Sequence, residues 1–152
     1  MKLPERFDLT YIDHNGDKKR PVMLHRAIYG SFERFFGILV EHFEGKFPLW
    51  LSPVPVRLVT VTDRAAEFAN IILNQFKSVG ITRASVDSRT ETLGKKIRDA
   101  QLDKVNYIVT VGDKEVDNNT LSIRSRDGSV QHDVKVEDFI KQLLDEIAIK
   151  KL

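Results

Sequence analysis

The sequence predicts an α/β domain with a mixed β-sheet and helices on both faces, preceded by an antiparallel hairpin and an amphipathic helix. Three observations carry this. From Val54 to Val111 the hydrophobic period switches repeatedly between strand and helix. A pair of alternating segments follows, joined by the turn dipeptide Asp127-Gly128. Three prolines, Pro48, Pro53 and Pro55, separate this part from everything before it.

Taken in order, Phe7, Leu9 and Tyr11 alternate with Asp8 and Thr10, Asn15-Gly16 supplies a tight turn, and Val22 and Leu24 resume the alternation. That pattern predicts an antiparallel hairpin. After Gly30, Ser31 can cap a helix on which Phe32, Phe35, Phe36, Leu39, Val40 and Phe43 share one stripe, ending near Gly45. The run Phe47 to Pro55 forbids helix and predicts an extended connection, so the domain boundary is placed at 47/48, giving segments 1–47 and 48–152.

Val54 to Val61 reads as a buried strand, and Thr62-Asp63 offers a cap to a helix carrying Ala65, Phe68, Ala69, Ile72, Leu73 and Phe76, closed by Gly80. Ile81 to Val86 gives a second strand, Glu91 to Gln101 a second helix, and Tyr107 to Val111 a third strand. This β-α-β-α-β order favours right-handed crossovers and parallel pairing. The hairpin around Asp127-Gly128 makes the sheet mixed. A last helix bears Phe139, Ile140, Leu143, Leu144 and Ile147 and ends in Lys150-Lys151, the charge its dipole prefers there.

Composition excludes more than it assigns. With 152 residues, the chain should bury roughly 68–70% of its unfolded surface and needs neither disulfide nor metal for its core. Hydrophobic residues at 41% and charged residues at 30% are globular values. The absence of cysteine removes thiolate metal sites, cysteine nucleophiles and disulfides. Balanced charge, 24 Lys plus Arg against 22 Asp plus Glu, means that any polyanion site is a local patch. No signal peptide and no apolar run of ~18 residues is present, so a soluble, cytoplasmic protein is expected.

The chemistry-bearing residues are few. His14, His25, His42 and His132 form no HExxH pattern, and each alone reads as a structural or solvated residue; His25, just before Arg26 on the hairpin, offers at most a single imidazole to a metal. Neither Gly30 nor Gly112 sits in a phosphate-binding fingerprint, and no serine stands in a nucleophile elbow. Arg34, on the first turn of the Phe-rich helix, is placed either to meet a phosphate or to point into solvent. Gly112-Asp113-Lys114-Glu115 follows the third strand at the edge where open α/β sheets bind ligands. Arg124 and Arg126 lie on the next strand, and Lys95, Lys96 and Arg98 on the preceding helix. A carboxylate and a guanidinium can read base edges, or form a solvated charged rim.

The run His25 to Leu39, HRAIYGSFERFFGIL, resembles the third signature motif of class II aminoacyl-tRNA synthetases in the form found in the threonyl-tRNA synthetase family. Phe47-Pro48-Leu49-Trp50-Leu51-Ser52-Pro53-Val54 resembles that family's junction between catalytic core and anticodon-binding domain. The likeness continues through Gly112-Asp113-Lys114-Glu115-Val116 to Arg124-x-Arg126-Asp127-Gly128, covering nearly the whole chain.

This resemblance implies that residues 1–47 are the C-terminal end of a class II catalytic core and 48–152 an anticodon-binding domain. It implies that Arg34 binds the ATP phosphates, as the catalytic residue of this stretch, with Gly30 and Ser31 forming the turn beside the adenylate. His25 corresponds to one of three ligands of a zinc ion that selects threonine; the other two lie in family sequence without a counterpart here. Glu115 and Arg124 correspond to positions reading the second and third anticodon letters, Arg98 to a basic position near the RNA, and Thr90 to an anticodon contact often made by asparagine. Asn106 stands where the family commonly has proline.

The expected function is therefore part of a threonine-tRNA ligase, an enzyme using ATP, magnesium and zinc as a homodimer. The fragment by itself is expected to be inactive and to bind none of those cofactors. Its expected partner is threonine tRNA, with no DNA and no membrane. The alternative is a free-standing RNA-binding or regulatory module without catalysis. A related enzyme for proline or histidine is disfavoured by His25, which such enzymes do not need for zinc.

Overall fold

The computed structural model describes residues 2–152 and divides into two compact units, Met1–Gly37 and Ile38–Leu152. This division falls inside the Phe-rich helix, ten residues before the proline-marked boundary.

The first unit holds a short helix α1 (Leu3–Arg6), which the sequence pattern does not suggest, and a hairpin of two residues per strand, β1 (Tyr11–Ile12) and β2 (Lys18–Lys19). Its turn is held by Asp13, whose Oδ1 accepts the amides of Asn15 at 2.9 Å and Asp17 at 3.0 Å. The longer hairpin expected from the alternation is not formed. Phe7, Leu9, Val22 and Leu24 lie outside any strand and are exposed, and His25 is in irregular chain rather than on a strand. Alternation predicts a strand only where one face is covered, and an isolated two-stranded ribbon has no such face. Arg20 fastens the segment by donating to the Pro4 carbonyl at 2.8 Å. Helix α2 (Phe32–Phe43) starts in this unit and ends in the second.

In the second unit, Phe47 to Pro55 is not extended. The amides of Leu51 and Ser52 both donate to the Pro48 carbonyl, at 3.0 and 2.9 Å, folding the segment into a turn that buries Pro48, Leu49 and Ser52. Proline forbids a continued helix but permits one such turn. Then follow β3 (Val56–Thr60), α3 (Arg64–Ser78), β4 (Ser85–Asp87), α4 (Leu93–Leu102) and β5 (Tyr107–Val111). A short helix α5 (Asp113–Asn118), unforeseen in the sequence, leads to β6 (Thr120–Ser125), β7 (Val130–Lys135) and α6 (Val136–Ala148). The sheet order is β4-β3-β5-β6-β7, parallel through β4, β3 and β5 and antiparallel beyond. It is the mixed sheet expected.

One face carries the larger core. Val56, Leu58, Val109, Val111, Leu121 and Ile123 meet Ala69, Ile72 and Phe76 of α3 and Phe139 and Leu143 of α6. Phe139 stands edge-on to Phe76 and Tyr107, with ring centroids 6.1 and 5.5 Å apart. Each such buried aromatic or aliphatic side chain contributes roughly 1.5–3 kcal/mol. The opposite face buries Val59 and Ile108 against Ala100, Leu93 and Ile97 of α4. Helix α3 ends in a Schellman arrangement, Gly80 N–H to Lys77 O at 3.1 Å and Ile81 N–H to Phe76 O at 2.9 Å. The side chain of Thr62 does not cap α3 as expected; its hydroxyl meets Asp113 Oδ1 at 3.0 Å, and Asp63, at the cap position, makes no side-chain cap bond. Thr92 does cap α4, accepting the Lys95 amide.

Candidate nucleic-acid interface

Register places the polar residues of β6. Ile108 pairs with Arg124 and Thr110 with Ser122, so Thr120, Ser122 and Arg124 share the face of Ile108, while Leu121 and Ile123 point into the larger core. Helix α4 covers that face over β3 and β5. Over β6 and β7 the same face is polar and part-exposed, and β7 is mostly exposed along its length. Arg124 is half-buried there, and its guanidinium has no hydrogen-bond or ion-pair partner among the described residues. A donor fork held on a strand with its donors unsatisfied is ready for an external acceptor.

A bulge adds a residue that sequence parity missed. Leu121 pairs with Val134 but Ile123 with Gln131, so His132 and Asp133 together oppose Ser122, with Asp133 at φ 56°. The bulge sets His132 beside Ser122, whose hydroxyl meets the imidazole Nδ1 at 2.8 Å. The only sequence signal was the odd spacing between Leu121-x-Ile123 and the returning Val130 and Val134.

Arg98 is exposed on α4. Asp99, next to it, bonds Arg89 at 2.9 Å, while Arg98 lies on the side of the helix away from the buried Leu93, Ile97 and Ala100. Thr90 is exposed in the loop between β4 and α4, and its hydroxyl has no partner among the described residues. The same loop is pinned by Asp87, whose two oxygens take Arg89 at 2.9 and 2.7 Å. Those bonds hold the Asp87 carboxyl below the ordinary carboxylate value.

Glu115 sits at the third position of α5, half-buried, and its Oε2 accepts the Gly112 amide at 2.9 Å. A Cβ at 112 would lie 3.1 Å from that oxygen, a tight approach that a small shift of the Glu115 side chain relieves. Thr90 and Glu115 thus stand at the carboxyl edge of the parallel strands, the place where open α/β sheets take ligands. Arg124 stands four residues along β6 from Thr120, about 13 Å from that edge by strand rise.

The remaining expected residues belong to the first unit. Gly30, at φ 71°, makes a turn that a Cβ would strain, and Ser31 accepts the Arg34 amide through its hydroxyl at 3.3 Å, capping α2. Arg34 is exposed and its guanidinium is without a partner among the described residues. His25 is exposed, and no cluster of three or more metal-ligating side chains occurs among the described residues. A catalytic zinc ion needs three protein ligands, so these residues do not compose a zinc site by themselves. No helix among them is long and apolar enough to cross a membrane.

Residues 55–146 match the anticodon binding domain family. A threonine-tRNA ligase of Chlamydia trachomatis is 52% identical over 147 residues, 97% of this chain and 23% of the relative. One from Desulforapulum autotrophicum is 51% identical over 152 residues, 100% of this chain and 24% of the relative. The chain therefore spans less than a quarter of the length of these curated relatives. Among solved structures, the RNA binding domain of threonyl-tRNA synthetase from Cryptosporidium parvum superposes with a TM-score of 0.75 at 32% identity, covering 94% of this chain and 36% of that one. Prolyl-tRNA synthetase from the same organism shares the fold, with a TM-score of 0.70 at 17% identity over 97% of this chain and 32% of that one. With well over half of its residues inside the family match, the chain belongs to the anticodon binding domain family.

Proposed function

We propose that residues 48–152 bind the anticodon stem-loop of threonine tRNA, and that residues 1–47 are the closing part of a class II catalytic core, together forming the C-terminal part of a threonine-tRNA ligase. The observation that carries this reading is Arg124, a guanidinium without a partner among the described residues, half-buried on the open polar half of the sheet, in a chain about half identical to threonine-tRNA ligases. Single-stranded loop bases present their edges to such a surface, and Arg donates in a fork to guanine while Glu accepts from base amino groups. Arg124 and Glu115 are assigned those roles, with Arg98 on α4 and Thr90 at the sheet edge as further RNA contacts. The domain supplies recognition: holding the anticodon sets where the acceptor end of the tRNA lies, and positioning of that kind accounts for much of an enzyme's rate.

In the whole enzyme, Gly30, Ser31 and Arg34 would border the adenylate, with Arg34 on the ATP phosphates, and His25 would supply one zinc ligand. ATP, magnesium and zinc, the homodimer and a cytoplasmic location are properties proposed for that whole enzyme. The chain by itself is expected to form no threonyl-tRNA. Fluorescence anisotropy of a labelled threonine anticodon stem-loop, at fixed salt, tests the reading against loops with altered anticodon letters. Preference for the threonine anticodon supports it; equal binding to all loops would favour the free-standing module.

A further inference from the structure

At the carboxyl ends of β3 and β4 a concavity of about 380 Å³ opens between the starts of α3 and α4, with Lys96 in its wall. Lys96 is only 3% exposed. Its ammonium donates to the Thr60 carbonyl at 2.8 Å and approaches the Thr60 hydroxyl at 3.5 Å, leaving one of its three donors without a partner among the described residues. It makes no ion pair there either. The nearby carboxylate, Asp87, has both oxygens on Arg89. Asp87 attracts Lys96 without bonding it, and a buried cation with no directly paired anion and an incomplete set of hydrogen bonds is costly. The surrounding groups leave room for an anion to supply both. The Thr90 hydroxyl, in the same wall, has no partner among the described residues, whereas that of Thr92 is taken by the Lys95 amide. On the rim, Glu91 is paired with Lys95 at 2.6 Å, and Asp63 is the one acidic group facing the opening without a salt bridge among the described residues.

We propose that this pocket takes one phosphate of the bound RNA chain, with Lys96 as its buried cation and the Thr90 hydroxyl as a second donor. The proposal rests on the RNA reading above. It gives Lys96 a task different from that of Arg124: a phosphate contact fixes the register of the loop on the sheet and is indifferent to base identity.

The experiment pairs the 152-residue chain and its Lys96→Met variant with threonine anticodon stem-loops in which single loop phosphates are replaced by neutral methylphosphonates. One linkage should weaken binding to the unaltered chain by about tenfold, as expected for a charge-assisted contact, and have no further effect on Lys96→Met. The slope of log affinity against log salt should fall by about 0.7 when that one phosphate is neutralised. Preference for the threonine anticodon should survive in the variant. Because Lys96→Met removes a bond to Thr60 and can unfold the chain, inorganic phosphate is also titrated into the unaltered chain by NMR, where saturable shifts at the amides of Thr62, Thr90 and Thr92 are expected. Anticodon-selective binding with no sensitive linkage, or with a linkage equally sensitive in both proteins, overturns the proposal and leaves the RNA reading in place. Saturable phosphate binding without any sensitive linkage also overturns it, by making the ligand free phosphate. Failure of every stem-loop to bind overturns both.

Discussion

The carboxylate of Glu115 accepts the backbone amide of Gly112 at 2.9 Å, so the residue assigned to a base edge also closes the first turn of its own helix. One oxygen serves the fold and the other is left for the ligand. The two tasks separate by substitution. Glu115→Ala should lose both, lowering stability by about 1 kcal/mol, as for other lost caps, and abolishing anticodon preference. Glu115→Gln keeps an acceptor for the Gly112 amide and should melt within a degree or two of the unaltered chain, yet bind the threonine loop less selectively. Thermal unfolding and anisotropy titration of the same samples read the two effects.

Arg124 and Arg126 stand two residues apart and should behave oppositely. Arg126 donates to the Phe47 carbonyl at 2.9 Å, while Arg124 has no partner among the described residues. Arg126→Ala should lower stability by about 1 kcal/mol and leave anticodon preference intact. Arg124→Ala should leave the melting temperature unchanged and cost about 1–3 kcal/mol of discrimination.

The place where the chain is cut should matter. Phe47 O accepts both Asn106 Nδ2 at 3.0 Å and Arg126, and Glu44 O accepts Lys104. A chain starting at residue 38 retains these acceptors and should unfold cooperatively, with better solubility, since it sheds the exposed Phe7, Ile28, Tyr29, Phe32 and Phe36. A chain starting at 48 leaves the part-buried Asn106 amide unsatisfied and should be less stable than the first by about 1–3 kcal/mol. Urea denaturation of the two deletions compares them, and equal midpoints would contradict this.

Acid should weaken the second unit through two carboxylates. The Asp127 carboxyl is held at about 2, against an ordinary 3.8, by hydrogen bonds from Ser125 and Ser129, and that of Asp87 is lowered by Arg89. A carboxylate whose folded value is depressed contributes in full above its unfolded value, and that contribution is lost as pH falls through the folded one. Stability should therefore decline from about pH 4 toward pH 2, and less steeply in Asp127→Asn and Asp87→Asn. The change should be larger for Asp87, whose side chain is 7% exposed, because Asp127 is exposed and screened by solvent. Urea midpoints measured across that range give the slopes.

The β-α-β-α-β frame was legible because its central strands β3 and β5 are largely buried and its helices carry apolar stripes. Tyr107–Val111 has the bounds its apolar run implied. Helix α5 was not, since six residues are too few for a period; its signals were the Glu at its third position and Asn119 in the left-handed conformation at its end. The prolines at 48, 53 and 55 correctly excluded helix, but the burial of Leu49 in the core, which turns the segment inward, is a tertiary effect with no local mark. At the candidate interface, residue types were legible and their placement was not. Alternation put Arg124 on a polar face, whereas the openness of that face depends on α4 stopping short of β6, and His132 reaches Ser122 only through the bulge at Asp133.

Anticodon reading by this chain, as proposed above, is open to direct test. The most direct measurement titrates a labelled threonine anticodon stem-loop with the 152-residue chain at one physiological salt concentration, beside loops changed at the second and third anticodon letters. Salt is fixed because phosphate contacts dominate affinity and depend on it steeply. A loss of about 1–3 kcal/mol for each changed letter, abolished in Arg124→Ala, is the predicted result. Equal affinity for all the loops, or no binding to any, would contradict it.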